Sequence, residues 1–170
     1  APGAEAHLLR TVGTDLGAVV LTGDYRFDHT PIDGRITDVN AFAQLGQEGV
    51  LALLGDSTNV EASGSTASES TVGQAFHQIF AEAEGRVIVA SFASHIHRVQ
   101  QAITIAHLHG RKFALSGRSM VKNANIARNL GYLDVPDGAM IKLTQIDDYR
   151  PEEILIISTG SQGERSGAAA

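Results

Sequence analysis

The stretch "RVIVASFASHIHRVQQAITIAHLHGRKFALSGRSM", residues 86–120, decides the fold class. Two apolar runs, each closed by small polar residues, enclose a segment in which Val99, Ala102, Ile103 and Ala106 recur at helical spacing. A strand, a helix and a second strand in this order are typical of a right-handed crossover between parallel strands. The stretch therefore predicts one unit of an α/β domain.

The same alternation extends in both directions. Upstream, "VLALLGDSTN" at 50–59 is a continuous apolar run, as expected of a strand covered on both faces. A Ser/Thr/Gly loop and a helical pattern over 72–83 follow it. Downstream lie a helix over 121–130 and two strand patterns, "AMIKL" and "EEILIISTGSQGE". From residue 50 onward the sequence predicts a parallel sheet with helices on both sides.

Before residue 50 the pattern is different. The segments "AHLLRTV" (6–12) and "AVVLTGDYRF" (18–27) alternate in polarity around the turn "GTDLG", which predicts an antiparallel strand pair. A short helix is expected over 37–45, with Thr37 or Asp38 as its N-cap.

Composition limits the class of protein. The 170 residues are 43% apolar with a net charge of −6, and no apolar run approaches the roughly 20 residues of a membrane span. We therefore expect a globular protein without a membrane partner. The absence of cysteine excludes disulfides and thiolate metal sites, is compatible with a cytoplasmic location, and restricts any metal ligands to Asp, Glu and His.

The charge is unevenly distributed. Residues 85–133 contain no acidic residue, but they hold seven of the thirteen basic residues and four of the seven histidines. A basic section in an acidic chain suits a phosphate-bearing partner, and the alternative is ordinary solvated helix faces.

Four of the predicted strands end in small polar loops. They are Asp56–Asn59, Ser91–His95, Ser116–Ser119 and Ser158–Glu164. In a parallel sheet these loops share one edge, where open α/β sheets bind ligands. Ser94 and Ser119 are expected N-caps, with Arg98 and Arg118 close enough to bind phosphate. Alternatively, these Ser and Gly residues are only turn and capping residues.

Common catalytic motifs are missing. The chain has no G-x-G-x-x-G opening a helix after a strand, no P-loop and no G-x-S-x-G elbow. The pairs His95/His97 and His107/His109 are weak metal signals. Asp24 and Asp56 each follow a glycine at the end of an apolar strand, so each is either a turn residue or a ligand whose companions lie elsewhere.

Several segments carry a resemblance to a known family. "LTGDYRFDHTPIDGRITDVNAFAQLGQEGVLALLGDSTNVE" (21–61), "RVIVASFASHIHRVQQAI", "GRKFALSGRSMVKN", "IARNLGYL" and "STGSQGE" occur in order. Together they resemble ribonuclease J, a metallo-β-lactamase-fold nuclease of the β-CASP group. The chain departs from the family pattern at His95, where family members often have Asn.

The resemblance implies an architecture and roles for individual residues. Residues 1–55 would be part of the metallo-β-lactamase domain, and residues 56–170 most of a three-layer β-CASP domain. Asp24 is expected to bridge two divalent metal ions, usually zinc, and Asp56 to orient an active-site histidine. The implied contacts to RNA phosphate are Ser57, Thr58, Asn59, Ser94, His97, Arg98, Arg118, Ser119, Ser161 and Gln162.

The implied function is metal-dependent hydrolysis of single-stranded RNA, both from a 5′ end and internally, for RNA processing and decay. We expect the chain to be a segment of a longer protein that forms dimers or tetramers, and the segment alone to be inactive. Two alternatives stay open. The chain could be an RNA- or nucleotide-binding module without catalysis, or a β-CASP relative acting on DNA or on messenger RNA 3′ ends.

Overall fold

The computed structural model describes residues 10–14, 17–23, 25, 27–58 and 60–160. These residues form two compact units that divide between Glu69 and Ser70. The domain boundary expected after residue 55 is defined by the family architecture and stays a prediction.

The amino-terminal unit contains a three-stranded sheet in the order β1-β2-β3. Strand β1 spans Arg10–Thr14, β2 Gly17–Gly23 and β3 Val50–Gly55, and helix α1 spans Val39–Glu48 between β2 and β3. Strands β1 and β2 pair antiparallel, whereas β2 and β3 pair parallel. The α1 N-cap is Asp38, whose side chain accepts a hydrogen bond from the Ala41 N–H and so satisfies a free donor of the first turn.

The prediction that β3 is covered on both faces is wrong for the described chain. All six residues of β3 are exposed, Leu53 by 65%. Strand β3 also belongs to the sheet of the amino-terminal unit, not to the larger sheet that follows. A continuous apolar run predicts burial, but it does not identify the element that covers the strand.

The carboxyl-terminal unit contains a four-stranded sheet in the order β4-β7-β5-β6, and every pair is parallel. Its strands are β4 Val87–Ala90, β5 Lys112–Ser116, β6 Met140–Ile141 and β7 Ile154–Ser158. Its helices are α2 Ser70–Glu82, α3 Ile96–Leu108 and α4 Arg118–Asn129, and two 3-10 turns span Leu143–Asp148 and Pro151–Glu153. The predicted parallel α/β fold is confirmed.

One hydrophobic cluster holds this unit together. It joins residues of α2, α3 and α4 to the face of the sheet that carries Phe113, Leu155 and Ile157. On the opposite face Ala114 and Ile154 are also fully buried, so the central strands β5 and β7 are covered on both sides. A covered central pair fixes the carboxyl ends of these strands and the loops that follow them.

Candidate functional sites at the carboxyl ends of the two sheets

The first candidate site lies where β2 and β3 end together. Gly23 and Gly55 are register partners in the parallel pair, and Asp56 follows Gly55 directly. The Asp56 N–H donates to the Thr22 hydroxyl at 3.1 Å, and Thr22 is buried on β2. The end of one strand therefore fixes the residue that follows the other. Thr22 has no sequence signal of its own, because only the register shows that it meets Asp56.

The Asp56 carboxylate is held by its own turn. Its Oδ1 accepts hydrogen bonds from the Thr58 hydroxyl at 2.7 Å and from the Thr58 N–H at 2.9 Å. These bonds, of which the hydroxyl bond is the stronger influence, lower the pKa of Asp56 below its ordinary value of 3.8. The carboxylate is therefore ionised at neutral pH, as an acceptor for a histidine N–H requires.

A cleft of about 460 Å³ opens over this carboxylate. Tyr25, Asp56 and Thr58 line it on one side, and the Ser/Thr/Gly loop of residues 62–66 lines it on the other. The loop that looked like a plain connection in the sequence thus forms a wall of the site. Its polar side chains can donate hydrogen bonds to an anion in the cleft.

Asp28, which follows β2, binds the end of that loop through hydrogen bonds. Its side chain accepts hydrogen bonds from the Ser68 hydroxyl at 2.9 Å and from the Glu69 N–H at 3.1 Å. It also accepts from the Thr30 N–H at 2.9 Å, and the residue is buried. Sequence reasoning missed this anchor. The signal present was the second aspartate of "DYRFD", but nothing local pairs it with residues 40 positions away.

The first prediction concerns the Asp56 charge. Thr58→Val removes the hydroxyl donor and keeps the backbone N–H, so we expect the pKa of Asp56 to rise toward 3.8. The pKa of Asp56 is lower in the folded than in the unfolded protein, so the ionised carboxylate stabilises the fold. This stabilisation is present above about pH 4 and is lost as the pH falls through the lowered pKa. A carbon-13 NMR titration of the carboxyl measures the midpoint. Ser57→Ala, which removes no bond to this carboxylate, serves as the control, and an unchanged midpoint in Thr58→Val would contradict the assignment.

The structure does not assemble a metal centre from the part of the chain that it describes. Among those residues, no three His, Cys, Asp or Glu side chains group closely enough to hold a metal ion. Asp24, the predicted metal ligand, lies outside the described residues. The same is true of the predicted RNA contacts Asn59, Ser161 and Gln162.

The second candidate site is the carboxyl edge of the four-stranded sheet. Three of the four polar loops meet there as expected, because the Ser91 N–H donates to the Ser158 carbonyl at 3.0 Å and the Thr159 N–H to the Ser116 carbonyl at 3.4 Å. The expectation that the Asp56 loop shares this edge is wrong, since β3 belongs to the other sheet. The hydroxyl of Thr159, which no sequence pattern singled out, is buried at this edge and has no hydrogen-bond partner among the described residues.

The expected N-caps at this edge are both wrong. Helix α3 begins after His95, whose Nδ1 accepts from the Arg98 N–H at 3.2 Å, so His95 and not Ser94 is the cap. Helix α4 begins after Gly117, which has a φ of 95° and no side chain to cap with, and Ser119 is already helical. His95 thus does locally what Asn does at other helix starts.

The structure brings five of the predicted phosphate contacts to this edge. Ser94 and Arg118 are exposed, and His97, Arg98 and Ser119 are half-buried around the starts of α3 and α4. Ser57 and Thr58 instead lie beside Asp56 in the amino-terminal unit.

The basic section does not form one surface. Arg86, Arg111 and Lys112 lie at the starts of β4 and β5, at the opposite edge from the polar loops. Arg86 pairs with Asp147 at 2.6 Å, and the Lys112 amine donates to the Gly138 carbonyl at 2.8 Å. Arg111 donates to the Gly85 carbonyl at 2.8 Å, so all three of these residues have structural partners at that edge. The other four basic residues of the section, Arg98, Arg118, Lys122 and Arg128, lie on α3 and α4.

No helix in the described part of the chain is long and apolar enough to cross a membrane. The histidines His107 and His109 at the end of α3 are exposed.

Comparisons with known proteins relate this arrangement to one family. The sequence model described as "Ribonuclease J, beta-CASP domain" matches residues 84–170. The chain is similar to ribonuclease J of Helicobacter pylori (strain ATCC 700392 / 26695), with 48% identity over 157 residues, which is 92% of this chain and 23% of that protein. It is 45% identical over 153 residues to ribonuclease J of Thermus thermophilus, which is 90% of this chain and 26% of the relative.

Ribonuclease J of Mycobacterium tuberculosis (strain ATCC 25618 / H37Rv) is 46% identical over 157 residues, covering 92% of the chain and 28% of the relative. The chain thus spans about a quarter of the length of these curated relatives.

Proposed function

Because the chain belongs to the ribonuclease J family, we propose that it is part of a metal-dependent ribonuclease that processes and degrades RNA. The intact protein acts as a 5′-exoribonuclease and as an endoribonuclease. This segment contributes a metal-bridging Asp24, the carboxylate of Asp56 and a wall that binds RNA phosphates. The proposal concerns the whole protein, since the chain spans only 23% of a relative such as the Helicobacter pylori enzyme.

The observation that carries the proposal is the setting of Asp56. Its carboxylate is ionised and fixed by Thr58 in a cleft at the shared end of β2 and β3. A fixed carboxylate of this kind orients the ring of a neighbouring histidine and raises its basicity. The register partner of Gly55 is Gly23, which directly precedes Asp24, and this supports a common role for the two aspartates.

The residues of this chain supply one donor of the proposed metal centre. Asp24 would help to hold the metal ions, while the remaining ligands are expected on other segments of the intact protein. When bound, two divalent ions, zinc by family expectation, would supply an activated water and positive charge opposite the phosphodiester.

The phosphate-binding wall has two parts in this proposal. Arg98 and Arg118 present planar guanidinium groups that can bind a phosphate with two hydrogen bonds, and His97, Ser94 and Ser119 add donors around them. Ser57, Thr58 and Asn59 form the second part beside Asp56, and Ser161 and Gln162 extend the wall after β7. Neutralising phosphates releases counterions, so binding falls as salt rises.

The experiment that tests the function uses the full-length protein. We expect zinc-supported cleavage of 5′-monophosphate single-stranded RNA, and no comparable cleavage of single-stranded DNA of the same sequence. The isolated 170-residue chain is expected to be inactive under the same conditions, because the other metal ligands are expected on other segments of the intact protein. Both samples are followed by gel analysis of end-labelled substrates, with chelator-treated protein as the control.

Other outcomes point to the alternative functions. Preferential cleavage of DNA would assign the chain to a different β-CASP activity. Salt-dependent RNA binding without any cleavage by the full-length protein, lost in Arg98→Ala with Arg118→Ala, would indicate a binding module. Robust zinc-dependent cleavage by the isolated chain would contradict the proposed division of the metal centre.

We further propose that the intact protein works in the cytoplasm on single-stranded RNA, without a membrane partner, as a homodimer or tetramer. Light scattering of the purified full-length protein gives the assembly state directly.

A further inference from the structure

A cleft of about 300 Å³ opens between the start of α3 and the outer side of α4 in the carboxyl-terminal unit. Its lining includes Ser94, Ile96, Asn123, Ile126, Leu130 and Tyr132. The walls are mainly apolar, with one amide and two hydroxyl groups among them. Such a lining takes a flat, largely apolar group with a polar edge.

The cleft begins at the candidate phosphate-binding edge. Ser94 belongs to the loop after β4, and Ser119 lies four residues before Asn123 on α4. The positions 119, 123, 126 and 130 follow one another at helical spacing and share one face of the helix. A strand bound by its phosphates at the edge therefore has a continuous path along α4 into the cleft.

The backbone that carries Tyr132 is held in place. The Tyr132 N–H donates to the Ala127 carbonyl at 2.8 Å, and the neighbouring Leu133 is buried. Gln100 clamps the same segment, because its Oε1 accepts from the Asp134 N–H at 2.7 Å and its Nε2 donates to the Asp134 carbonyl at 3.0 Å. Tyr132 itself is 54% exposed. An exposed aromatic side chain on a fixed backbone segment binds a second ring with a smaller loss of conformational entropy than one on a mobile segment.

The charge around the cleft favours an anionic chain. Arg118 and Lys122 on α4 are exposed, and residues 85–133 contain no acidic side chain, while Asp134 follows Tyr132 by two positions. Single-stranded nucleic acids are bound by this combination of basic groups along the backbone and aromatic side chains under the bases. An apolar segment of a protein would gain nothing from the basic border.

We propose that this cleft binds one nucleobase of a single-stranded RNA, stacked on Tyr132 and hydrogen-bonded along its edge by the Asn123 amide. Asn can pair with a base through its carbonyl and amino groups together. The inference rests on the proposed function, since it adds a base-binding subsite next to the phosphate-binding edge.

The test measures RNA binding to the full-length protein in the presence of a chelator, which prevents cleavage. We expect Tyr132→Ala to weaken binding of a single-stranded RNA about tenfold, and Tyr132→Phe to stay within about twofold, because the stacking face is kept. Tyr149→Ala is the matched control for loss of a tyrosine elsewhere in the same unit, and it should leave the affinity unchanged. The fluorescent base 2-aminopurine, placed at successive positions, should be quenched at one position by the unmodified protein and by Tyr132→Phe but not by Tyr132→Ala.

RNA that lacks the base at the quenched position should bind the unmodified protein and Tyr132→Ala equally. Equal affinity of Tyr132→Ala and the unmodified protein for intact RNA would overturn the subsite, while RNA cleavage by the unmodified protein would leave the proposed function standing. A tenfold loss that persists with the abasic RNA would also overturn it, since the cleft would then take another group. If the unmodified protein neither binds nor cleaves RNA, the proposed function and the subsite both fail.

Discussion

Replacement of Asp24 by Asn in the full-length protein is expected to lower the rate of RNA cleavage about 1,000-fold. An amide has one uncharged acceptor oxygen, so it cannot bridge two cations as a carboxylate can. A loss of about 4 kcal/mol of transition-state stabilisation corresponds to that factor. Single-turnover cleavage gives the rate, and elemental analysis of the purified variant gives the number of metal ions bound.

Asp33→Asn provides a matched control in the same unit. Asp33 is a turn residue whose Oδ1 accepts from the Arg35 N–H at 3.0 Å, and it has no place in the proposed centre. We expect its rate and metal content to equal those of the unmodified protein. The bridging role of Asp24 would be wrong if Asp24→Asn retained two metal ions and cleaved within about threefold of the unmodified rate.

Replacement of Arg111 by Met is expected to destabilise the carboxyl-terminal unit by about 3 kcal/mol. Arg111 is only 4% exposed, and its guanidinium donates to the carbonyls of Ala83 at 2.7 Å and Gly85 at 2.8 Å. It also reaches the Ile154 carbonyl at 3.5 Å and lies 5.5 Å from the ring centroid of Phe80. The side chain therefore fastens the end of α2 and the approach to β4 onto the sheet, and Met leaves these carbonyls without their donor.

Chemical denaturation of the 170-residue chain, followed by circular dichroism, measures the effect. Arg86→Met is the matched control, because Arg86 forms a solvent-accessible pair with Asp147, and such pairs contribute about 1 kcal/mol or less. The free energy of unfolding of Arg111→Lys should fall between those of the two Met variants. An amine keeps the charge but lacks the planar guanidinium that donates to several carbonyls at once. Burial lowers the pKa of Arg111, and the charge of Glu152 opposes this effect in part. Equal unfolding free energies for Arg111→Met and Arg86→Met would refute the structural role.

Local pattern predicted the elements of the carboxyl-terminal unit well. The alternation around residues 86–120 indicated β4, α3 and β5, and the polar residues after β4, β5 and β7 indicated the edge where their loops meet. These features follow from side-chain period and strand direction, which neighbouring residues set. The sequence likewise predicted Thr37 or Asp38 as the cap of α1, and the structure selects Asp38.

The same reasoning failed where the outcome depends on distant partners. The apolar run of β3 predicted burial, yet the strand pairs with β2 and stays exposed in the described chain. Ser94 and Ser119 had the residue type of caps, but the backbone turned one and two residues away from them, at His95 and Gly117. Arg111 was counted in the basic section that suits a phosphate-bearing partner, since its sequence neighbours do not reveal its three carbonyl partners, which lie 26 to 43 residues away.

By itself, then, the sequence determined the α/β class, the order of the elements, the family resemblance and the residue types available for binding anions. Only the tertiary structure decided that Thr22 meets Asp56, that Asp28 anchors the long loop, that the basic section divides between two edges, and that Tyr132 and Ser94 line the same cleft. The reason is physical. Period and propensity act over a few residues, whereas register, burial and hydrogen-bond pairing depend on which distant segments the folded chain brings together.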